Sequence, residues 1–310
     1  MYVYPDMAGQ FHCRMCGACC RREWLVTVDE AAYNRNRRLF AAQGKLAEFN
    51  QAFQKLKGPA SPGEYACISK DAAGACWFLE ADSLCRLHRL AGHEHLDSVC
   101  QTYPRYPMNS SRGTEITLCF SCPAVLDLVE RTAPLQFLRA DETPLKVGED
   151  FVEHIFPRQK RKTDPLFYYF EIEQHFIDLL QCRSLSLADR IVLLETTVAK
   201  ISAAGGEDTL GQRLNGIFAE NWRMLDGTGD FPPAAKVTAE IMTEHYLVNV
   251  VFKKIFYTYG LSTGLRILKK FHRFIRLSAA GAENNLAGAR KAVAELEFRL
   301  GHQRSSLGKL

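Results

Sequence analysis

Ten of the eleven cysteines in this 310-residue chain precede residue 123, and four of them fall inside the single stretch 11–20, FHCRMCGACC. Thiols at that density are oxidised to disulfides, dispersed as small buried hydrophobes, or gathered on metal, and each fate dictates a different fold around them. A disulfide framework belongs to small secreted chains. The opening MYVYPDMAGQFHC has neither the basic segment nor the apolar segment of a secretory leader. Adjacent Cys19 and Cys20 are also awkward to bridge to each other. Short cysteine spacings that return over about a hundred residues instead suit an iron or zinc centre, because closely spaced sulfurs converge on metal without an extra loop.

The predicted ligands are Cys13, Cys16, Cys19, Cys20, Cys76, Cys85, Cys100, Cys119 and Cys122. They exceed the four that one iron–sulfur cubane needs, so some are structural or a second metal is present. Cys67 and one of Cys19 and Cys20 are the ones to spare, and Cys182, among leucines, reads as a buried thiol. His88, His93 and His95 lie near Cys85 and Cys100 and carry a ligating imidazole, but the cysteines already suffice.

Hydrophobic residues make up 47% and charged residues 24%, a globular composition, and no run reaches the roughly 18 apolar residues that cross a membrane. The net charge of +4 is spread evenly rather than concentrated in the broad basic face of a nucleic-acid binder. The one dense basic run, Arg158 to Lys162, reads as a solvated linker. Free thiols in this number place the protein in the cytoplasm, with neither membrane nor nucleic acid as partner.

Along the chain, 24–28 reads as a short strand, and Asp29 as the cap of a helix running past Phe40 toward Phe49 and Phe53. Cys67, Cys76 and Cys85 recur at nine-residue intervals around two turn sequences, predicting a hairpin with sulfurs at its ends. Residues 114–118 alternate as a strand leading into Cys119-Phe-Ser-Cys122-Pro123. Beyond Pro123 helical spacing takes over: a short helix from Leu126, an irregular stretch over 134–164, then helices over 167–180, from Ser186 to Gly205, over 214–225, 233–259, 263–277 and 286–300. The expected fold is therefore mainly α: an irregular, cysteine-rich α+β metal-binding region at 1–125 followed by an all-α region at 126–310.

The series FHCRMCGACCRREW, CWFLEADSLCRLH, CQTYPRYP and ITLCFSCPAV resembles, in content and order, the flagellin lysine-N-methylase family. DLLQCRSLSLADRIVLL and EHYLVNVVFKKIF are similar to that family's leucine-rich helix pair and the helix beyond it. The first group, Cys13-x2-Cys16-x2-Cys19, is tighter than the family's usual spacing, and its opening pattern also resembles small zinc- or iron-chelating proteins. The resemblance implies an iron–sulfur cluster, of the 4Fe–4S kind with zinc as the alternative. It also implies methyl transfer from S-adenosylmethionine to lysines of a protein substrate, flagellin. The alternative is a non-enzymatic metal-binding protein whose helical half takes a protein partner.

No strand is followed by G-x-G-x-x-G, and Cys16-x3-Cys20 stops short of a radical S-adenosylmethionine triplet because Glu23 stands where its third cysteine belongs. The cofactor is therefore expected beside the metal. Lysine must be neutral to accept a methyl group, which an apolar aromatic channel favours. Tyr103, Tyr106 and Tyr168 to Phe170 are aromatic candidates for it, with ordinary core as the alternative reading. Arg105 either binds a carboxylate or braces the cysteine loop through backbone carbonyls. Tyr103 and Arg105 are thus the catalytic candidates.

Overall fold

The computed structural model describes residues 1–57, 64–143, 145, 147, 151–226, 235–280 and 285–300. Its strands are β1 (Tyr2–Pro5), β2 (Thr27–Val28), β3 (Phe53–Lys55), β4 (Ala66–Ile68), β5 (Arg105–Ser110), β6 (Gly113–Leu118), β7 (Phe137–Ala140) and β8 (Glu153–Ile155). Its helices are α1 (Glu30–Ala42), α2 (Leu46–Ala52), α3 (Arg86–Ala91), α4 (Ser98–Thr102), α5 (Pro123–Val129), α6 (Tyr169–Gln181), α7 (Leu187–Ala203), α8 (Leu210–Asp226), α9 (Ala239–Phe252), α10 (Ile255–Thr258), α11 (Leu261–Ala279) and α12 (Leu286–Leu300).

The chain forms two compact units: a smaller one of His12–Tyr106 with Leu145–Asp150, and a larger one of Met1–Phe11, Pro107–Pro144 and Phe151–Leu310. This differs from a division at residue 125. The reason lies in backbone pairing: β1 runs parallel to β6 and antiparallel to β7, so the first residues complete a sheet built from residues more than a hundred positions away. The resulting order is β7-β1-β6-β5-β8. The second half is accordingly helical but not all-α, since β7 and β8 arise within 134–164. Neither has a strong alternating pattern of its own; their neighbours recruit them.

Local signals explain the smaller unit's helices. The Asp29 carboxylate accepts from the Ala32 N–H at 2.7 Å and starts α1. Gly44, at φ +69°, breaks what reads as one helix into α1 and α2, because a left-handed residue closes a helix end. Phe40, Phe49, Phe53 and Phe78 then pack with Val26, Val28, Ile68 and Leu87 into an apolar core. The three-stranded sheet β2-β4-β3 borders it.

The larger unit is organised on α9, which packs against α6, α11 and α12. An amphipathic helix over 233–259 is expected; residues 233 and 234 lie outside the described residues, and α9 proves buried on every side from Ile241 to Phe252. Its polar side chains each meet a built partner. Glu244 takes Arg183 at 2.7 Å and Arg190 at 2.6 Å, His245 Nδ1 donates to the Val129 carbonyl at 2.8 Å, and Asn249 donates to the Leu118 carbonyl at 3.2 Å. Just beyond the helix, Lys254 stands at φ +70° and is wholly buried. Its ammonium lies 2.7 Å from Glu115 and 2.6 Å from Glu173, while Arg112 reaches the same two carboxylates. Two cations thus face two anions, the balance a buried ionic group needs.

Candidate metal centre

The smaller unit gathers thiols from four separate segments. Cys19 and Cys20 stand in a turn, Cys76 and Cys85 flank a compact loop, and Cys100 lies in α4. The Cys76 N–H donates to the Cys20 carbonyl at 2.7 Å, which fixes the first turn against the second segment. Two isolated bridges, Lys70 with Cys76 and Leu79 with Cys85, then replace the expected continuous hairpin. The reason is two tight turns: the Asp71 carboxylate accepts from the N–H groups of Ala73 (2.9 Å) and Ala75 (2.8 Å), and Ser83 N–H donates to the Glu80 carbonyl at 2.9 Å.

Gly17 explains how the first cysteine loop approaches the 79–83 loop. It stands at φ +66°, and a Cβ there would lie 3.0 Å from Leu79 Cδ1 and 3.1 Å from the Ser83 carbonyl. Arg21 clamps the two loops by donating to the Cys16 carbonyl at 2.8 Å and to Ser83 Oγ at 2.6 Å.

The sulfurs act on one another. Cys19 Sγ and Cys20 Sγ are 3.8 Å apart. The Cys20 thiol's hydrogen bond holds Cys19 down to about 7 and pushes Cys20 up, and Cys76 and Cys100 raise Cys20 further. Burial pushes Cys76 up, with Cys85 and Asp97 adding to it. Burial likewise raises Cys85, and Cys19 and Asp97 reinforce it. Cys100 keeps part of its surface in solvent, yet desolvation, Asp97 and the thiols of Cys76, Cys19 and Cys85 all push it up. Cys20, Cys76, Cys85 and Cys100 are thus disfavoured as thiolates while Cys19 is favoured as one, and a bound cation would favour the thiolate form in all five.

Asp97 shares this environment. It is 1% exposed, and neither carboxylate oxygen has a hydrogen-bond partner. Burial first, then Asp29, push it up to about 7 against the pull of Arg35.

The other predicted residues stand in different surroundings. Cys13 and Cys16 are exposed, and Cys67 sits in β4, raised by burial alone. Cys119 and Cys122 belong to the larger unit. There the Lys253 ammonium is 3.8 Å from Cys119 Sγ, and Cys119, pushed up to about 12, is raised chiefly by burial. Cys122 precedes Pro123, which opens α5 at the position where a missing N–H costs nothing. Cys182 is half-buried, 3.0 Å from Ser184 Oγ. His95 is engaged with buried Asn36 at 3.1 Å, and His88 packs edge-on to His93.

Tyr103 packs edge-on against Trp24, ring centroids 5.2 Å apart, three residues beyond Cys100. Arg105 is half-buried, and burial lowers its pKa. Tyr106 is buried in the smaller unit, whereas Tyr169 is fully buried in the larger one and Phe170 lies 3.8 Å beneath the Arg112 guanidinium. For Tyr169 and Phe170 the core reading fits the environment.

No family model, curated protein or solved structure matches this chain. The thiols themselves must carry the functional reading. Among the described residues no three or more His, Cys, Asp or Glu side chains already surround one point as ligands of a single ion do. Tetrahedral zinc, with Zn–S of about 2.3 Å, wants sulfurs about 3.8 Å apart. The Cys19–Cys20 pair meets that spacing. A polynuclear iron–sulfur cluster places each thiolate on its own iron, so its ligands surround a larger body rather than one point. Donor type suits such a group, and Cys19, Cys20, Cys76, Cys85 and Cys100 are the residues that would hold it.

Sequence reasoning missed Asp97, although Asp97-x-x-Cys100 repeats the spacing of Cys13-x-x-Cys16 and Cys119-x-x-Cys122. It also missed the buried polar partners of α9. Glu244, His245 and Asn249 stand in an apolar run whose contacts the sequence does not name.

Proposed function

We propose that the smaller unit binds a thiolate-held iron–sulfur cluster, and that the protein transfers methyl groups from S-adenosylmethionine to lysines of a protein substrate in the cytoplasm, flagellin in the first instance. The observation that carries the metal half is the gathering of Cys19, Cys20, Cys76, Cys85 and Cys100 from four segments, each thiol within electrostatic reach of others. Order and content of the cysteine motifs support the methylase half. S-adenosylmethionine supplies an electrophilic methyl group, and the protein must present a neutral lysine amine to it. The amine is ordinarily protonated below a pKa of about 10.4. The half-buried Trp24–Tyr103 pair supplies the apolar, cation-tolerant surface such an amine and its methylated product need. Arg105, nearby in sequence and partly desolvated, would orient a carboxylate in this reading.

One observation favours a second reading. Residues 12–26 and 69–85 contain little regular structure, and a metal that ties them together would stabilise the smaller unit without doing chemistry. Zinc is the ion such a staple takes, and the helical unit would then serve a protein partner.

Protein purified without oxygen decides between them by its metal content, its visible absorption while S-adenosylmethionine is titrated in, and transfer of labelled methyl groups to flagellin lysines. Iron with a broad absorption band that responds to the cofactor, and transfer that Cys85→Ala abolishes, are the expected results. Colourless zinc protein indifferent to the cofactor refutes the methylase and leaves the staple.

A further inference from the structure

Among the described residues of the smaller unit, Asp97 is a buried charged group whose surroundings do not account for it. Its residue is 1% exposed and both carboxylate oxygens lack a hydrogen-bond partner. It occupies the N-cap position of α4 yet accepts no capping hydrogen bond, although an aspartate there is well suited to one. The cation nearest in effect, Arg35, spends one nitrogen on the Leu96 carbonyl at 3.4 Å and leaves its buried Nε unpartnered as well. A desolvated carboxylate without partners is costly, and proteins hold one by neutralising it, pairing it or giving it to a metal.

Its neighbours indicate the third course. Asp97 acts electrostatically on Cys76, Cys85 and Cys100, three of the five gathered thiols. Asp97 is the N-cap of the helix whose third residue is Cys100, the position from which a side chain reaches back to the N-cap residue.

We infer that Asp97 is itself a ligand of the metal centre, giving a mixed donor set of thiolates and one carboxylate. The inference rests on the metal-binding reading above. A carboxylate is a harder donor than a thiolate, so on an iron–sulfur cluster it distinguishes one iron from the rest and makes that iron the most open to exchange. The thiols alone would instead describe a uniform cluster.

The test uses the full chain purified without oxygen, with iron and sulfide content, electron paramagnetic resonance and visible absorption measured for wild type, Asp97→Ala, Asp97→Cys and Cys85→Ala. Asp97→Ala should lose about one iron of a four-iron centre and develop a three-iron resonance signal. Asp97→Cys should restore the iron with an absorption spectrum shifted by the added thiolate. Unchanged iron content and spectra in Asp97→Ala overturn the inference and assign Asp97 to Arg35. Should Asp97→Ala fail to fold, X-ray absorption of the wild-type centre decides: one oxygen donor among sulfurs supports the ligand, and a shell of sulfur alone refutes it. Wild type without iron, or indistinguishable from Cys85→Ala, would refute the metal reading itself, a result separable from an effect confined to Asp97.

Discussion

Replacing Lys254 with methionine removes one charge from the buried quartet of Arg112, Glu115, Glu173 and Lys254 at nearly constant volume. Both carboxylates lose a contact of 2.6–2.7 Å, and one negative charge is left uncompensated where Lys254 is 0% and Glu173 2% exposed. Breaking a buried pair in this way costs about 3–5 kcal/mol. The left-handed backbone at residue 254 is equally strained for lysine and methionine, so that contribution cancels. With a urea dependence of about 2 kcal/mol per molar, the unfolding midpoint of the helical unit should fall by roughly 2 M.

The pH dependence has a definite sign. Burial raises Glu115, but Lys254 and then Arg112 outweigh it and hold the carboxyl at about 2 in the folded state. Its contribution is therefore complete above the unfolded carboxyl range and fades as pH falls toward 2. Without Lys254 the carboxylates protonate more easily, so the variant's deficit should be smaller at pH 5 than at pH 8. Adding Glu115→Gln to Lys254→Met restores one cation against one anion and should recover at least half of the loss. A single variant within about 0.5 kcal/mol of wild type, or a deficit that grows on acidification, would refute the neutral-quartet account.

His175 is held neutral near 4 by burial, accepting at Nε2 from the Asn221 amide at 2.8 Å. Its contribution is present above the unfolded value near 6.5 and lost toward pH 4, at most about 3 kcal/mol, so His175→Gln should flatten urea midpoints measured across that interval. Gly113→Ala places a Cβ 2.1 Å from the Met1 carbonyl oxygen at φ +107°, and should destabilise the β1–β6 pairing by more than about 2 kcal/mol, seen as faster amide exchange in β1. Phe78→Ala opens the smaller unit's core at a position 1% exposed; a loss of about 3–5 kcal/mol should appear as preferential proteolysis within 12–106. On the proposed metal-binding reading, a chelator should lower the melting temperature of that same unit, because metal binding is folding free energy where ligands come from separate segments.

Much of this was legible in one dimension. Asp29 and Ser186 start helices by side-chain hydrogen bonds to backbone three residues on, and such local geometry is written in local sequence. The apolar spacing of 263–277 and 286–300 likewise places α11 and α12. Three things depended on distant partners. β1 has a role only because β6 and β7 flank it, and Cys119 and Cys122 belong to the unit that this sheet builds. The apolar run of α9 does not reveal that Glu244, His245 and Asn249 are satisfied by Arg183, Arg190, Val129 and Leu118. Asp97 looks like any helix cap until tertiary packing removes its water, withholds its hydrogen bonds and sets it among Cys76, Cys85 and Cys100. Spacing fixes which atoms can meet within a helical turn; desolvation and pairing between distant segments exist only once the chain has closed upon itself.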